Sequence, residues 1–357
     1  METISITDPR APAAMLATLR AGGLVIAPTE TVYGCFADAT NPDSVTKLLA
    51  YKRRPAGKAI SVAVADQKTA EQYVSLTDQA RAIYRNFLPG PVTVVSASRH
   101  LADRRLESEF GTLGIRIPGH DWLLSVLRSF ASAVTATSAN ASSQKTPYTI
   151  SDVLTRLSSK QKNLIDLIID AGTLPKNPPS LVIDTTTSTP IVMRPNAAID
   201  QFSSTANQTY LTHDETETYA LAGKLLLQNW STLCQTGFII ALDGDLGAGK
   251  TTLTAGFGQF LGINAIINSP TYTYLKEYPY TKFEHNGTLY HLDAWTIDRP
   301  ELLAALNLDA CQKPSNLLVI EWYEQIAPFF QPRVPLLHLK LRVTGQTSRS
   351  ITLEAQP

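Results

Sequence analysis

Residues 244–251 read Gly244-Asp245-Leu246-Gly247-Ala248-Gly249-Lys250-Thr251, the spacing of a Walker A loop. A phosphate needs several N–H donors converging on its oxygens. Glycines at 244, 247 and 249 let the backbone wrap closely enough to supply them, and the N-terminus of a following helix adds a favourable dipole. Lys250 is then placed to reach the β- and γ-phosphates, and Thr251 to set its hydroxyl on Mg²⁺. A cation held this way usually has an acidic partner at the end of a neighbouring strand. Glu321, which closes the apolar run Leu317-Leu318-Val319-Ile320, is one candidate. Asp293, after Tyr290-His291-Leu292, is the other. Alone, each reads as a solvated strand-end acid; beside a Walker loop each becomes a candidate ligand.

The first half of the chain has no such loop and no dinucleotide fingerprint. Its chemistry is scattered: Pro28-Thr29-Glu30-Thr31-Val32-Tyr33-Gly34, Lys52-Arg53-Arg54-Pro55 with Lys58 beyond, Pro89-Gly90-Pro91-Val92-Thr93, Arg116-Ile117-Pro118-Gly119-His120, Thr137-Ser138-Ala139-Asn140, Ser180, and Arg194-Pro195. Each piece has a plain explanation, as a helix C-terminus, a polar turn or a surface ion pair. Jointly, basic and hydroxyl residues recur at strand ends, where α/β sheets bind ligands. Lys52, Arg54, Lys58, Arg116 and Arg194 could balance a triphosphate, which carries about four negative charges.

Two sets of elements must position these groups. Strands are expected at Leu24–Ala27, Ile60–Ala65, Val92–Ala97, Leu113–Ile117, Ala133–Ala136, Leu167–Asp170, Leu181–Asp184 and Ile191–Arg194. Helices are expected at Pro12–Ala21, Pro42–Tyr51, Asp78–Leu88, Trp122–Phe130 and Ile150–Leu157. A polar stretch follows, read as a linker over 198–212 between a first domain (1–197) and a second (213–357). The second domain has a helix at Glu215–Trp230, a strand at Gly237–Leu242, a helix at Thr251–Leu261, and strands at Thr288–Leu292, Leu317–Ile320 and Leu336–Leu341. The fold class is α/β: a twisted mixed sheet with helices first, a P-loop α/β domain second.

Composition narrows the partners. The 357 residues carry 31 basic and 31 acidic side chains, a formal net charge of zero. Such a chain lacks the broad basic field of non-specific nucleic-acid binding, so contact with RNA would pass through a local patch or a partner. The three cysteines have neither metal-ligand nor disulfide spacing. The first residues lack the marks of a signal peptide, and no apolar run approaches about 18 residues. A cytoplasmic protein without a membrane span is expected.

The Walker loop together with Ser269-Pro270-Thr271-Tyr272, His291-Leu292-Asp293 and Glu321-Trp322 resembles the TsaE family of small P-loop ATPases. The resemblance implies an ATP site of Gly244, Leu246, Gly247, Ala248, Gly249, Lys250, Thr251 and Thr252, lined by Asp293 and Trp322, with Thr251 and Glu321 holding Mg²⁺. Trp295 and Thr296 stand where that family usually has Tyr-Arg. The scattered words of the first half, in order, resemble the YrdC/TsaC family of threonylcarbamoyl-AMP synthases. That resemblance implies that L-threonine, bicarbonate and ATP give threonylcarbamoyl-AMP and pyrophosphate. Thr31, Arg116 and Ser180 would hold threonine. Lys52, Arg54, Lys58, Ser138, Asn140 and Arg194 would hold ATP, with Lys52 and Arg54 closest to the chemistry. Ala63 stands near the place of a histidine often found in that family.

The two resemblances together imply a bifunctional protein of tRNA threonylcarbamoyladenosine biosynthesis. It would have two ATP sites, TsaD- and TsaB-like partners, and tRNA reached indirectly through them. The rival expectation is a nucleotide- or RNA-binding regulatory protein with a P-loop switch and no synthase activity. Retention of Thr31, Lys52, Arg54 and Arg194 argues against it.

Overall fold

The computed structural model describes residues 1–53, 58–140, 146–194, 208–270 and 273–354. The chain divides into two compact units, Met1–Thr186 with Val192–Phe202, and Thr187–Ile191 with Ser203–Pro357. No helix among the described residues is long and apolar enough to cross a membrane.

The first unit contains two sheets. Strands β1 (Glu2–Ser5), β2 (Val25–Pro28), β3 (Tyr33–Phe36), β4 (Val62–Ala63), β5 (Val74–Ser75), β6 (Val92–Ser98), β7 (Thr112–Arg116), β8 (Val134–Thr135), β9 (Thr137–Ser138), β10 (Leu167–Asp170), β11 (Leu181–Asp184) and β12 (Ile191–Arg194) follow in chain order. One sheet runs β1-β10-β2-β3-β9. The other runs β12-β11-β6-β7-β4-β8, with β5 pairing β6. Both are mixed: β1, β10 and β2 are parallel, whereas β3 is antiparallel to β2 and β9. The short, apolar strands are buried on both faces, which explains why β2 and β3 read as continuous buried runs.

Helix starts follow ordinary capping chemistry. Asn41 accepts from the amides of Asp43 and Ser44 at 2.9 and 3.2 Å and opens the helix Pro42–Lys52, with proline in its first turn. That helix stops at Arg53, whose φ of 46° is left-handed. The stop leaves Lys52 as the last helical residue, its side chain turned inward and 2% exposed.

In the second unit a single sheet is ordered β13-β19-β18-β14-β17-β16-β15. Its strands are β13 (Thr209–Thr212), β14 (Phe238–Asp243), β15 (Leu275–Lys282), β16 (His285–Asp293), β17 (Leu317–Glu321), β18 (Leu336–Val343) and β19 (Arg349–Glu354). The middle strands β16, β17, β14 and β18 are parallel and the flanking pairs antiparallel. The helices Glu215–Gln228 and Lys250–Leu261 pack together where Gly256 meets Ala222 and Tyr219.

Several expectations differ from what forms. Residues 209–212, expected at the end of the linker, are strand β13, because Tyr210 and Thr212 are buried while Thr209 and Leu211 face out. The rest of that stretch, 198–207, lies outside the described residues. The expected strand Ile60–Ala65 is reduced to Val62–Ala63. The helix expected to reach Trp230 ends at Gln228, and Trp230 opens a second one.

Candidate functional site

Two sites form, one in each unit. In the first, the loop between β2 and β3 is knotted by Thr29, whose hydroxyl donates to Val32 O at 2.7 Å and accepts from the amides of Thr31 and Val32. This turn presents Glu30 and Thr31 together. Arg116, closing β7, donates from Nη2 to Glu30 Oε1 at 2.7 Å and to Thr31 Oγ1 at 2.9 Å. The pair is largely withdrawn from solvent, with side-chain exposures of 11% and 17%. Arg116 Nε and Glu30 Oε2 are nevertheless buried without a hydrogen-bond partner among the described residues. Leaving a buried polar atom unpaired costs about 1–3 kcal/mol, so two of opposite sign in one ion pair call for an explanation.

The register places Thr93 of β6 opposite Arg116 of β7. Thr93 Oγ1 lies 3.1 Å from Ser180 Oγ, and Ser180 accepts from Arg194 twice: carbonyl from Nε and hydroxyl from Nη2, both at 2.8 Å. Burial, and after it the charge of Arg116, pushes Arg194 below its ordinary value. Arg194 as a whole is exposed, and the mutual influence of the two guanidiniums makes this edge favour anions.

A second cluster adjoins strand β3. Lys52 Nζ donates to the Ser138 carbonyl at 2.7 Å and also to the Asn140 carbonyl. Ser138 Oγ donates to Asn140 Oδ1 at 2.5 Å. The Tyr51 hydroxyl holds the intervening Ala139 carbonyl, and the Ala139 amide bonds Tyr33 O at 2.8 Å. The helix end and the Ser138–Asn140 turn are thus fixed to the strand that begins two residues after Thr31.

The structure therefore brings Thr31 to Arg116, Ser180 to Arg194, and Lys52 to Ser138 and Asn140. Lys58 is exposed. Arg54 and Pro195 lie outside the described residues. Cys35 is fully buried and its thiol is pushed up to about 12 by burial, a packing residue with no nucleophilic character. His120 caps the helix Asp121–Phe130, accepting from Leu123 N at 3.4 Å, and burial lowers its pKa. Glu30 and Thr93 had no role assigned from the sequence. Both sit inside quoted motifs, but only the cross-strand register shows what they touch.

In the second unit the buried strand β14 delivers the Walker loop at its C-terminal end. Gly244 has φ 139°, and a Cβ there would stand 2.2 Å from Leu341 O; Gly249 has φ 98° and opens the helix. Lys250 Nζ donates to the carbonyls of Gly244 and Asp245 at 2.7 and 3.0 Å, inside the loop. Burial lowers its pKa, opposed by Glu321, Asp243, Asp293 and Asp245.

β17 lies beside β14, with Leu242 opposite Glu321. Glu321 Oε2 accepts from Thr251 Oγ1 at 3.1 Å, and its Oε1 meets Nε2 of the fully buried His291 at 2.7 Å. Asp293 accepts from Ser269 Oγ at 2.6 Å and from Trp295 N at 3.1 Å. The Ser269 loop is thus tied to the site; Thr271 and Tyr272 lie outside the described residues. Trp322 adopts φ 61°, a conformation rare for a bulky residue, which costs about 1–3 kcal/mol and is typical of functional sites. That turn puts its ring 3.5 Å from Lys250 Nζ and 4.3 Å, centroid to centroid, from Trp295. Ala248 is buried, Leu246 exposed, and Thr252 half-buried. A hydroxyl and a carboxylate at the end of a phosphate loop make an oxygen-only donor pair that suits Mg²⁺.

Comparison with known proteins divides the chain in the same two parts. The Sua5/YciO/YrdC family model, described as telomere recombination, covers residues 17–196, just over half of the chain. The model for threonylcarbamoyl adenosine biosynthesis protein TsaE covers 212–351. A putative threonylcarbamoyl-AMP synthase of Methanocaldococcus jannaschii is 32% identical over 163 residues, 45% of this chain and 74% of that one. The tRNA threonylcarbamoyladenosine biosynthesis protein TsaE of Bacillus subtilis is 33% identical over 136 residues, 37% of this chain and 78% of that one. A variant of Pyrococcus abyssi Sua5 shares the fold at 19% identity and a TM-score of 0.53, over 96% of this chain and 99% of that one. The chain belongs to the Sua5/YciO/YrdC family through its first half and to the TsaE family through its second.

Proposed function

We propose that the first unit makes threonylcarbamoyl-AMP and pyrophosphate from L-threonine, bicarbonate and ATP, and that the second is a Mg²⁺-dependent ATPase of the same biosynthesis. The observation that carries the synthase reading is the Glu30–Arg116 pair. A free amino acid is a zwitterion. Its carboxylate matches the unpartnered Nε of Arg116, and its ammonium the unpartnered Oε2 of Glu30. Thr31 Oγ1, bonded to Arg116, and Ser180 Oγ, beside Thr93 opposite Arg116 in the sheet, are the hydroxyl partners proposed for the same substrate.

The chemistry requires alignment more than a nucleophilic side chain. Threonine nitrogen and bicarbonate combine to a carbamate with loss of water. A carbamate oxygen then attacks the α-phosphorus while the bond to pyrophosphate breaks. Lys52 is held at the Ser138–Asn140 turn by two carbonyls, which fixes its ammonium at the place proposed for the phosphates. Arg194 adds a second cation, and Arg54 belongs to the same proposed ATP set. Fixed cations neutralise charge on the departing pyrophosphate without reorganising.

In the second unit, loop amides and Lys250 hold the polyphosphate, Thr251 and Glu321 would hold Mg²⁺, and Asp293 and Trp322 line the site. Mg²⁺ held there would supply positive charge to offset that of the polyphosphate. The TsaE relationship supports partners of the TsaD and TsaB type, and a net charge of zero supports tRNA being reached through them rather than through a broad basic field. Fusion raises the effective concentration of the two units at such a complex.

The test is pyrophosphate release from ATP by the full chain, with threonine and bicarbonate omitted in turn. Release is expected only when both are present. Release without threonine would overturn the synthase reading and favour a regulatory nucleotide-binding protein.

A further inference from the structure

We propose that Arg349, the first residue of β19, is the positioning arginine of the C-terminal phosphate loop, acting on it from outside and adding its charge to polyphosphate binding. The inference rests on reading Gly244–Thr251 as a nucleotide site and adds a residue far from that loop in sequence. β19 pairs with β18, the strand beside β14, so Arg349 stands level with the end of the strand that delivers the loop. Its Nη2 donates to Gly247 O at 3.3 Å, and its Nη1 to Ser348 O and Gly345 O at 2.9 and 3.2 Å. Nε is buried and has no acceptor among the described residues; it lies 3.5 Å from where a Cβ on Gly249 would be. The guanidinium thus covers the outer side of Gly247 and Gly249, the two glycines flanking Ala248.

Two consequences follow from elementary electrostatics. A phosphate loop works by turning N–H groups inward, so its carbonyls must point outward and find donors there. Arg349 is the donor for Gly247 O, and fixes the peptide that joins Gly247 to Ala248. Its charge is matched only by carbonyl dipoles, because no carboxylate pairs with it among the described residues. Arg349 is half-buried with its Nε out of solvent, and a cation in that state is stabilised by an anion bound at the neighbouring loop. Each further phosphate adds negative charge near the loop, so the effect should grow with the number of phosphates.

The experiment titrates MgATP, MgADP and AMP into the full chain carrying Lys52→Ala, which silences the first ATP site. Arg349→Ala, Arg349→Gln and Arg349→Lys are compared in that parent, with Lys250→Ala as reference. Arg349→Ala should weaken MgATP about tenfold, the scale of one charge-assisted interaction, and AMP less than about twofold. Arg349→Lys should recover part of the difference between ATP and AMP. Arg349→Gln, which keeps a donor but no charge, should not. Equal losses for ATP and AMP, or recovery by Gln and not by Lys, would reduce Arg349 to a scaffold residue and overturn the proposal. If Lys250→Ala also leaves MgATP binding intact, it is the nucleotide reading of the loop that has failed.

Discussion

The two nucleotide sites are built in opposite ways. The C-terminal site is local: eight consecutive residues supply the amides, the ammonium and the hydroxyl, and one neighbouring strand adds Glu321. The N-terminal site is distributed over strand ends and turns, from Thr31 to Arg194, and its charges meet only through sheet register. A backbone-made phosphate cradle can be carried by one loop because each amide comes with its position. A pocket for a zwitterion and a triphosphate needs side chains of both signs aimed from several directions. The first kind of site survives many changes in its surroundings, whereas the second depends on each contributing element.

The sharpest way to break this comparison is to remove the lysine of each site. Lys52→Ala should lower threonine- and bicarbonate-dependent pyrophosphate release by at least about a thousandfold, the scale of losing a fixed cation at a transferring phosphoryl group. Lys250→Ala should abolish ATP hydrolysis by the second unit and spare that release. If each substitution removed both activities, the sites would not be separate machines.

Arg116 tests whether the distributed site works by paired charge. Arg116→Ala should raise the threonine KM roughly a hundredfold, because it removes the carboxylate partner and leaves Glu30 buried and unpaired. A mainly kcat effect, with KM unchanged, would place Arg116 at the phosphates instead. Arg116→Lys should rescue little, since one ammonium cannot reach Glu30, Thr31 and a substrate carboxylate together.

This same contrast explains what could be seen in the sequence. The Walker loop is legible because its chemistry is backbone chemistry at fixed spacing. Glu321 was legible as the end of a buried apolar run. Arg349 was not, because Arg349-Ser350-Ile351-Thr352-Leu353-Glu354 buries only Ile351 fully and reads as a polar tail. β13 was hidden in the same way, since Leu211 faces out and Thr212 in. In the first unit, Lys52 and Arg116 stood out by type. Glu30 did not, because its role comes from a turn knotted by the Thr29 hydroxyl and from an arginine 86 residues away. Long amphipathic helices were placed well; strands of two residues, such as β5 and β9, carry too little pattern to find.

A packing test asks whether the units also fold separately. Gly256 lies where the helices Glu215–Gln228 and Lys250–Leu261 touch, and a Cβ there would stand 2.8 Å from Ala222 Cβ and 2.9 Å from Tyr219 Cα. Gly256→Ala overpacks this contact, at a cost of about 1–3 kcal/mol. In a thermal melt the transition of the second unit should fall by roughly 5 °C while that of the first stays in place. A common shift of the whole melt would show that the chain unfolds as one body.

The smallest expected effect separates the two sites by pH. The C-terminal site relies on the ammonium of Lys250, whose pKa burial has lowered, with acidic neighbours only partly opposing that shift. The proposed threonine pocket relies on the guanidinium of Arg116, which stays charged at any ordinary pH. A polyphosphate favours the protonated lysine, so binding raises the pKa of Lys250. Below the free-site pKa the ammonium is already present and affinity is flat. Above it, each binding event must first take up a proton, and affinity falls as pH rises. Because the free-site pKa is lowered, this loss should begin at a lower pH than for an exposed lysine. Calorimetry of MgATP binding from about pH 7 to about pH 10, in buffers of different ionisation enthalpy, reads the proton uptake directly. Uptake that grows towards alkaline pH in the Lys52→Ala chain and vanishes when Lys250→Ala is added would assign it to this lysine. Equal enthalpies in every buffer across the range would mean that Lys250 is fully protonated before the nucleotide arrives, and that the acids around it outweigh its burial.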